Sequence, residues 1–328
     1  MQDHKVSIIV PIYNVEKFIE KCAITLFKQD YDNIEYIFVN DCTPDNSMQI
    51  LQKVIDKYPN RKNDIKIINK PNNEGLPQAR KSGLKVASGN YILNVDSDDW
   101  IKLNMVSSLI CEAKKSGADI VCFDYVKEFK NKNIIRNFFY TKNHPKSNLE
   151  FIKAILAHEI SVSMCDKLVK KKLYESVEFP YFSHCEDSFV NLQIFYEAKT
   201  FAYINKPFYH YRTNPNSLSN DFSNNQKALG DFANFSKAVR NFLIDKELFN
   251  DYFQYFLPNI LKFTIDYAEK DFKKHINNIC PEANSIKYVF KINRNFIYKI
   301  LYSSVFLGFP QIFVFAKKIF VGFRKFLR

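Results

Sequence analysis

The first hundred residues alternate between short apolar runs and longer stretches with one apolar face. Val6 to Ile12 is continuously apolar, and Glu16 to Lys28 then carries Phe18, Ile19, Cys22, Ala23 and Leu26 at helical spacing. The pairing repeats: Ile34 to Val39 with Ser47 to Lys57, then Ile65 to Ile68 with Pro77 to Ala87, then the run Tyr91 to Val95. Strands that alternate with helical segments of roughly a dozen residues predict parallel pairing with right-handed crossovers. The expected fold is α/β, a Rossmann-like, mostly parallel sheet flanked by helices.

Polar residues cluster where each strand ends. Tyr13 and Asn14 follow the first strand, Asp41 the second, and Asn73 with Gly75 the third. The fourth runs straight into Asp96-Ser97-Asp98-Asp99 with no cation among them. Carboxylates this close raise one another's pKa unless something positive lies between them, and a hard divalent cation is the usual remedy. Open α/β sheets bind ligands beyond the carboxyl ends of their strands, where these acids stand. The alternative is a solvated turn capping a helix that begins near Trp100. There is no GxGxxG or GxxxxGK[ST], and the chain has only seven glycines, so a glycine cradle for phosphate is not expected. The acids with a metal ion, helped by Arg80 near a helix start, take its place.

Composition narrows the class. An apolar content of 46% over 328 residues is that of a folded protein with a sizeable core. The seven cysteines form no CxxC and no zinc-ligand cluster, which reads as reduced thiols, and Val6 begins a strand with no secretory signal before it, so cytoplasmic folding is expected. The net charge of +12 is concentrated late: no acid follows Glu282, whereas Lys287, Lys291, Arg294, Lys299, Lys317, Lys318, Arg324, Lys325 and Arg328 do. A nearly balanced body argues against nucleic acid as a partner.

Val6-Ser-Ile-Ile-Val-Pro-Ile-Tyr-Asn14, Asn40-Asp-Cys-Thr-Pro-Asp45, Asn73-Glu-Gly-Leu-Pro-Gln-Ala-Arg80, Asn94-Val-Asp-Ser-Asp-Asp99, Glu186-Asp187 and Tyr209-His-Tyr-Arg212 occur in an order that resembles inverting family 2 glycosyltransferases of the GT-A fold, of the kind that build bacterial surface polysaccharides. The resemblance implies that Pro11, Tyr13 and Asp41 hold the uracil and ribose of a UDP-sugar, with Asn14 and Ser97 in the same donor set and Asn73 and Arg80 near the base and phosphates. It makes Asp96 and Asp98 a DxD pair, with Asp98 on Mn²⁺ or Mg²⁺ and Asp96 on the ribose, the sugar or the ion. Asn40 and Cys42-Thr-Pro44 depart from the family's usual Asp and Gly-Ser-Thr, which bears on the identity of the base.

In the second half, Glu186 and Asp187 open a segment patterned as an amphipathic helix, where the helix dipole favours an ionised carboxylate. Position alone fits a capping pair. Inverting sugar transfer needs a carboxylate to take the acceptor's proton, and the resemblance gives that task to Asp187, with Glu186 positioning the base or the acceptor. It also makes His210 a third metal ligand or diphosphate contact and Arg212 a phosphate partner. His144 and His158 stand alone and read as structural. Lys127 to Arg136 is expected to be a hairpin on the acceptor side, and Asn214 to Ser219 a segment over the donor.

The expected division is 1–100 for the nucleotide-sugar half, 101–220 for the acceptor and catalytic half, 221–285 for a helical C-terminal region, and 286–328 for a basic aromatic tail. The run 300–316 is uncharged, broken by Gly308 and Pro310, and flanked by cations. It reads as an anchor lying on an anionic membrane surface, or else as a helix covering this body or a second subunit in a homo-oligomer. The function expected is transfer of a hexose from a UDP-sugar to a glycan or lipid-linked glycan acceptor, by a cytoplasmic protein peripheral to the inner face of the cell membrane. A sugar nucleotidyltransferase and a non-catalytic nucleotide-sugar or glycan-binding protein are the alternatives.

Overall fold

The computed structural model describes residues 4–142, 144–213, 225–268, 271–292 and 296–316. Two compact units divide the chain: residues 1–151 with 160–214, and residues 152–159 with 215–328. The segment Asn214 to Ser219 and the cations Arg294, Lys317, Lys318, Arg324, Lys325 and Arg328 lie outside the described residues.

The first unit is built on β1 (Val6–Ile12), β2 (Ile34–Asn40), β3 (Ile65–Asn69) and β4 (Tyr91–Asn94), interleaved with α1 (Ile19–Phe27), α2 (Ser47–Asp56) and α3 (Leu76–Val86). β1 pairs in parallel with β2 on one side and β4 on the other, and β2 pairs in parallel with β3. The chain therefore leaves β1 in one direction and later returns to its other edge, which makes the β1/β4 boundary a topological switch point, with a crevice at its carboxyl end. Every residue of β1 is buried, as expected of a strand covered on both faces.

The sheet continues through β5 (Trp100–Ile101), β6 (Ile120–Phe129), β7 (Lys132–Arg136), β8 (Lys167–Lys170) and β9 (Phe201–Arg212). Its order is β3-β2-β1-β4-β8-β6-β9-β5, with β7 hydrogen-bonded to β6. β8 lies antiparallel between β4 and β6, while β6 and β9 are parallel. The expected hairpin is present as β6 and β7. Trp100 does not begin a helix: it pairs with His210 in the β5–β9 ladder, and α4 starts later (Met105–Ser116). Between β7 and β8 lies α5 (Asn148–Leu156), and before β9 lies α6 (Glu186–Glu197). Rather than showing one wet face, α6 buries residues on most sides, among them Phe189, Val190, Leu192, Ile194 and Phe195.

α3 approaches the sheet unusually closely. A Cβ on Gly83 would lie 2.6 Å from the Ile9 Cγ2 and 3.2 Å from the Val39 Cγ2, so only glycine fits. Arg80, three residues earlier and on the same helical face, is thereby carried to the strand ends.

The second unit is helical: α7 (Asn225–Asp245), α8 (Phe249–Ala268), α9 (Phe272–Ile279), α10 (Lys287–Lys291) and α11 (Phe296–Phe306), with residues 310–316 helical as well. Phe232, Phe235 and Val239 of α7 are buried, and Phe232 stacks on Phe263 at 3.8 Å, so this aromatic series is packing.

Near the amino ends of the strands, Glu35 is buried and accepts from the hydroxyls of Ser7 and Ser88, the amides of Ser88 and Gly89, and Lys66 at 2.8 Å. Burial alone would raise its pKa, but Lys66, Ser7 and Ser88 together hold it down at about 2. Its folded-state value lies below the ordinary value of 4.5, so the stability it gives is complete above that pH and is lost as pH falls toward about 2. Glu35→Gln is expected to flatten that acid limb in unfolding followed by the emission of Trp100. Parallel acid limbs for the two proteins would show that Glu35 does not carry it.

Candidate active site

The β1–β4 register pairs Ile9 with Asn94, and the Val95 amide donates to the Ile9 carbonyl at 3.0 Å, which sets Asp96 at the level of Pro11. On the other edge of β1 the Asp41 amide donates to the Ile12 carbonyl at 3.0 Å. Three of the expected donor positions thus meet at one strand end. Pro11 is buried, while Tyr13 is 47% exposed and offers an open ring at the crevice. Asn14 takes a left-handed backbone (φ 57°), and its amide donates to Thr43 Oγ1 at 2.8 Å, tying the first loop to the second.

Asp41 is buried, its carboxylate accepts from the amides of Glu74 (3.1 Å) and Gly75 (2.8 Å), and Lys70 Nζ lies 3.1 Å away as an ion-pair partner. Asn73 adds its own side-chain oxygen to the Gly75 amide at 3.0 Å. Asp41 therefore shapes the loop that opens α3. Two of its four or so lone-pair sites are taken by those amides, and Lys70 balances its charge.

Arg80 differs most from expectation. Its side chain is 2% exposed, and its guanidinium is committed to carboxylates: Nη1 to Glu186 Oε1 and Asp187 Oδ1, both at 2.6 Å, and Nη2 to Asp96 Oδ1 at 2.9 Å. The residue expected beside the donor's base and phosphates instead joins the β4 end to the α6 start, where Glu186 lies 106 residues beyond Arg80 in sequence. Cys185, in a left-handed conformation (φ 65°), turns the chain into α6 so that Glu186 points inward. Gln78 fixes the preceding loop by donating to the Pro180 carbonyl at 3.0 Å.

The two acids at α6 diverge. Burial, together with the neighbouring Asp187, pushes Glu186 well above the ordinary carboxylate value, and its Oε2 is buried without a hydrogen-bond partner. Burial would raise Asp187 too, but the Arg80 guanidinium, Glu186, Lys167 and the Met164 amide (3.3 Å) together hold it below the ordinary value. Asp187 is thus the more acidic member of the pair and Glu186 the less acidic one. Three carboxylates surround the one guanidinium, so acids are in excess here.

Asp99 is set apart from the other acids of its turn. It is 1% exposed and accepts from the Tyr209 hydroxyl and the Arg212 amide, both at 2.7 Å. Burial, then Asp98 and Asp96, push its pKa well up. The Tyr209 hydroxyl also accepts from the Asp96 amide at 3.1 Å, so this tyrosine locks β9 to the acidic turn. Ser97 is buried, and Asp96 and Asp98 remain partly exposed.

His210 stacks on Trp100 with centroids 3.5 Å apart, and its Nδ1 lies 3.0 Å from Glu128 Oε1. Glu128 also accepts from the Trp100 indole at 3.2 Å. Burial lowers the His210 pKa despite Glu128, and its Nε2 is buried without a hydrogen-bond partner. Arg212 places its guanidinium 5.0 Å from the Phe18 ring. Among the described residues no group of three His, Cys, Asp or Glu side chains is gathered closely enough to hold a metal ion, so Asp96, Asp98 and His210 are not a preassembled cage. A DxD pair with phosphate oxygens completing the shell needs no such cage, because Mg²⁺ is commonly held by one or two carboxylates plus substrate phosphates. The hard oxygens of Asp96 and Asp98 and the excess of acids fit that arrangement.

The profile of glycosyl transferase family 2 matches residues 7–174, which is half of the chain. The chain belongs to glycosyl transferase family 2. Among relatives of this family 2 member, the uncharacterized glycosyltransferase EpsJ of Bacillus subtilis is 36% identical over 225 residues, covering 65% of this chain and 62% of EpsJ. Glycosyltransferase GlyA of Streptococcus pneumoniae is 32% identical over 227 residues, 66% of this chain and 32% of GlyA. The chain thus spans under two thirds of these relatives. The structure of S. aureus TarS 1-349 in complex with UDP-GlcNAc is similar in fold, with a TM-score of 0.66 at 18% identity over 96% of this chain and 92% of that one. The GT-A fold expected of the family 2 chain is the fold observed.

Trp100, Glu128, Lys70 and Gln78 were not singled out from the sequence. Trp100 is the chain's only tryptophan and directly follows the acidic turn, a signal that was available. The others show nothing until the ladders bring them in.

Removing Arg80 would leave the buried Glu186 and the partly exposed Asp96 and Asp187 without their cation. Arg80→Ala is expected to lower stability by about 3–5 kcal/mol in urea unfolding followed by Trp100 emission. A loss below about 1 kcal/mol, typical of surface ion pairs, would mean the clamp does not form in solution.

Proposed function

We propose that this family 2 chain is a metal-dependent inverting hexosyltransferase that uses a UDP-sugar and a glycan or lipid-linked glycan acceptor in surface polysaccharide synthesis. The observation that carries this reading is the Arg80 clamp, which ties the DxD turn to Asp187 in one site. A partly exposed, ionised Asp187 suits a base that takes the acceptor hydroxyl's proton as its oxygen attacks C1 and the bond from C1 to the diphosphate breaks. Glu186, buried and less acidic than an ordinary carboxylate, positions Asp187 through their shared arginine. Asp96 and Asp98 would hold Mn²⁺ or Mg²⁺, with His210 as third ligand or diphosphate contact. The ion would supply charge stabilisation for the leaving diphosphate. The mannosyltransferase PcManGT of Pyrobaculum calidifontis, similar in fold (TM-score 0.53), was solved with GDP-Man and Mn²⁺, and TarS with UDP-GlcNAc. The first favours a nucleotide sugar held with a metal ion here, and the second a UDP-sugar. Pro11, Tyr13, Asn14, Asp41, Asn73 and Ser97 form the base and ribose side, Asp41 through its remaining lone pairs and its hold on the 73–75 loop. Arg212 is the expected phosphate partner.

With Mn²⁺, a UDP-sugar panel and an acceptor extract, Asp187→Asn is expected to bind UDP normally but to transfer at least about a hundredfold more slowly. Asp98→Ala should lose the metal dependence of UDP binding in calorimetry. Transfer by Asp187→Asn within about tenfold of the parent, roughly 1.4 kcal/mol, excludes Asp187 as the base.

The second unit supplies a membrane contact in this reading. No helix among the described residues is long and apolar enough to cross a membrane. Tyr302, Val305 and Phe313 are buried, and the Tyr302 hydroxyl donates to Asp266 Oδ1 at 2.8 Å. Phe296, Ile297, Ile300, Leu307, Phe309 and Phe315 are each more than half exposed, where a surface helix would carry charge. An apolar face in an acid-free, lysine-rich segment complements an anionic leaflet, and peripheral attachment to the cytoplasmic membrane follows. The full chain should sediment with phosphatidylglycerol vesicles and not with phosphatidylcholine, and Ile297→Asp with Ile300→Asp should release it. If the parent instead stays in the supernatant and dimerises through this face, a second copy is the occupant.

A further inference from the structure

The hairpin of β6 and β7, with the neighbouring β9, carries a row of side chains that the donor and base assignments leave unused. In the ladder Tyr125 lies opposite Tyr209 on one side and Arg136 on the other. Two residues on, Lys127 lies opposite Tyr211 and Ile134. Directly paired positions share a sheet face, and alternation keeps the second row on it. Ring contacts agree: Tyr125 and Tyr211 have centroids 6.2 Å apart, and Lys127 Nζ lies 5.2 Å from the Tyr211 ring and 5.7 Å from that of Phe129. Burial first, then Tyr140 and Asp166, raise the Tyr125 hydroxyl, while Arg136 opposes them, so Tyr140 and Arg136 stand near this ring.

One end of the row is fixed at the reaction centre. Tyr209 is hydrogen-bonded to Asp96 and Asp99, and Asp96 is joined through Arg80 to Asp187. The row then runs outward through the half-buried Tyr125, Tyr211 and Lys127 to Arg136 and Tyr140, which are exposed. Glu128 falls on the opposite face, engaged by Trp100 and His210, and Asp166 is buried against Lys167 at 2.6 Å. Aromatic faces pack on the apolar faces of sugar rings, and a guanidinium and an ammonium recognise an anion.

We propose that this row is the acceptor subsite and that it takes a saccharide carrying an anionic group, a phosphate or a carboxylate, with sugar rings on Tyr125, Tyr211 and Tyr140 and the anion on Arg136 and Lys127. The inference rests on the transferase reading, since Asp187 would activate the hydroxyl of the sugar so placed. It fixes the acceptor's chemistry, which the donor site does not.

The test uses the full chain with Mn²⁺ and UDP on an immobilised oligosaccharide array with neutral, phosphorylated and uronic-acid members, and UDP affinity is measured separately by calorimetry. The parent should retain one or both anionic classes at least about tenfold better than the neutral class. Arg136→Ala and Lys127→Ala should remove that preference, Tyr211→Ala should weaken retention of every class, and UDP affinity should stay within about twofold. Which anionic class is retained separates phosphate from carboxylate. Equal retention of neutral and anionic members by the parent, or an undiminished preference in Arg136→Ala, overturns the proposal. A parent that retains anionic saccharides yet binds no UDP would instead sink the donor reading and leave the row standing.

Discussion

A guanidinium removed from water must be paired, and in this chain the Arg80 guanidinium is paired three times over. Glu186, Asp187 and Asp96 supply oxygens within 2.9 Å, and these acids come from a helix start and a strand end far apart in sequence. Withdrawing α3 would leave these acids without their cation, and withdrawing the α6 start would strip Arg80 of two of its three partners; breaking a buried pair costs far more than a surface ion pair gives. The close approach of α3 to β1 and β2 at Gly83 delivers the arginine, and the left-handed turn at Cys185 delivers Glu186. Geometry that serves the clamp therefore also fixes the distance between the acidic turn and Asp187. The clamp sorts protons too. Of the three carboxylates around one cation, burial pushes Glu186 up while the Arg80 guanidinium helps to hold Asp187 down.

What could be read from the sequence was local. The first four strands and three helices follow from apolar runs alternating with helical periodicity, and the acids sit at strand ends because polar residues begin where the runs stop. The helix opened by Glu186 was visible in the same way. Contacts between distant segments were not visible. Arg80, near a helix start, has the placement of an anion ligand, and nothing local reveals that the anions are the protein's own. Asp96, Asp98 and Asp99 look alike as letters, yet Tyr209 and the Arg212 amide bury Asp99 and leave the other two partly open. Trp100 follows the turn in the way a helix would begin, but the β9 ladder captures it as a strand and aligns it with His210. Tertiary pairing overrode a local preference there, as it does for short segments generally.

The family match ends at residue 174, before Asp187, His210 and Arg212. Membership alone therefore speaks for the nucleotide side of the sheet and is silent on the residues proposed to act on the acceptor. The structure joins the two through its own chemistry. Tyr209 reaches from β9 to the Asp96 amide, Arg80 from α3 to Asp187, and the Met164 amide from the loop before β8 to the same carboxylate. Each link is a hydrogen bond between a matched segment and one beyond it, or within the later half.

That division bears on specificity. Residues that hold the clamp are buried and charged, so almost any substitution there unbalances the site, whereas Arg136, Tyr140 and Lys127 stand on a hairpin and its flank, where side chains can change with little effect on stability. A scaffold that keeps its charges balanced underneath can present different aromatic and basic groups above without re-engineering the base. The exposed apolar face of the second unit follows the same logic at a coarser scale. Tyr302 and Phe313 are needed to hold the helices together, while Phe296, Ile297 and Ile300 make no such contribution to the core, so what they meet outside the protein is free to be set by the membrane or partner they serve.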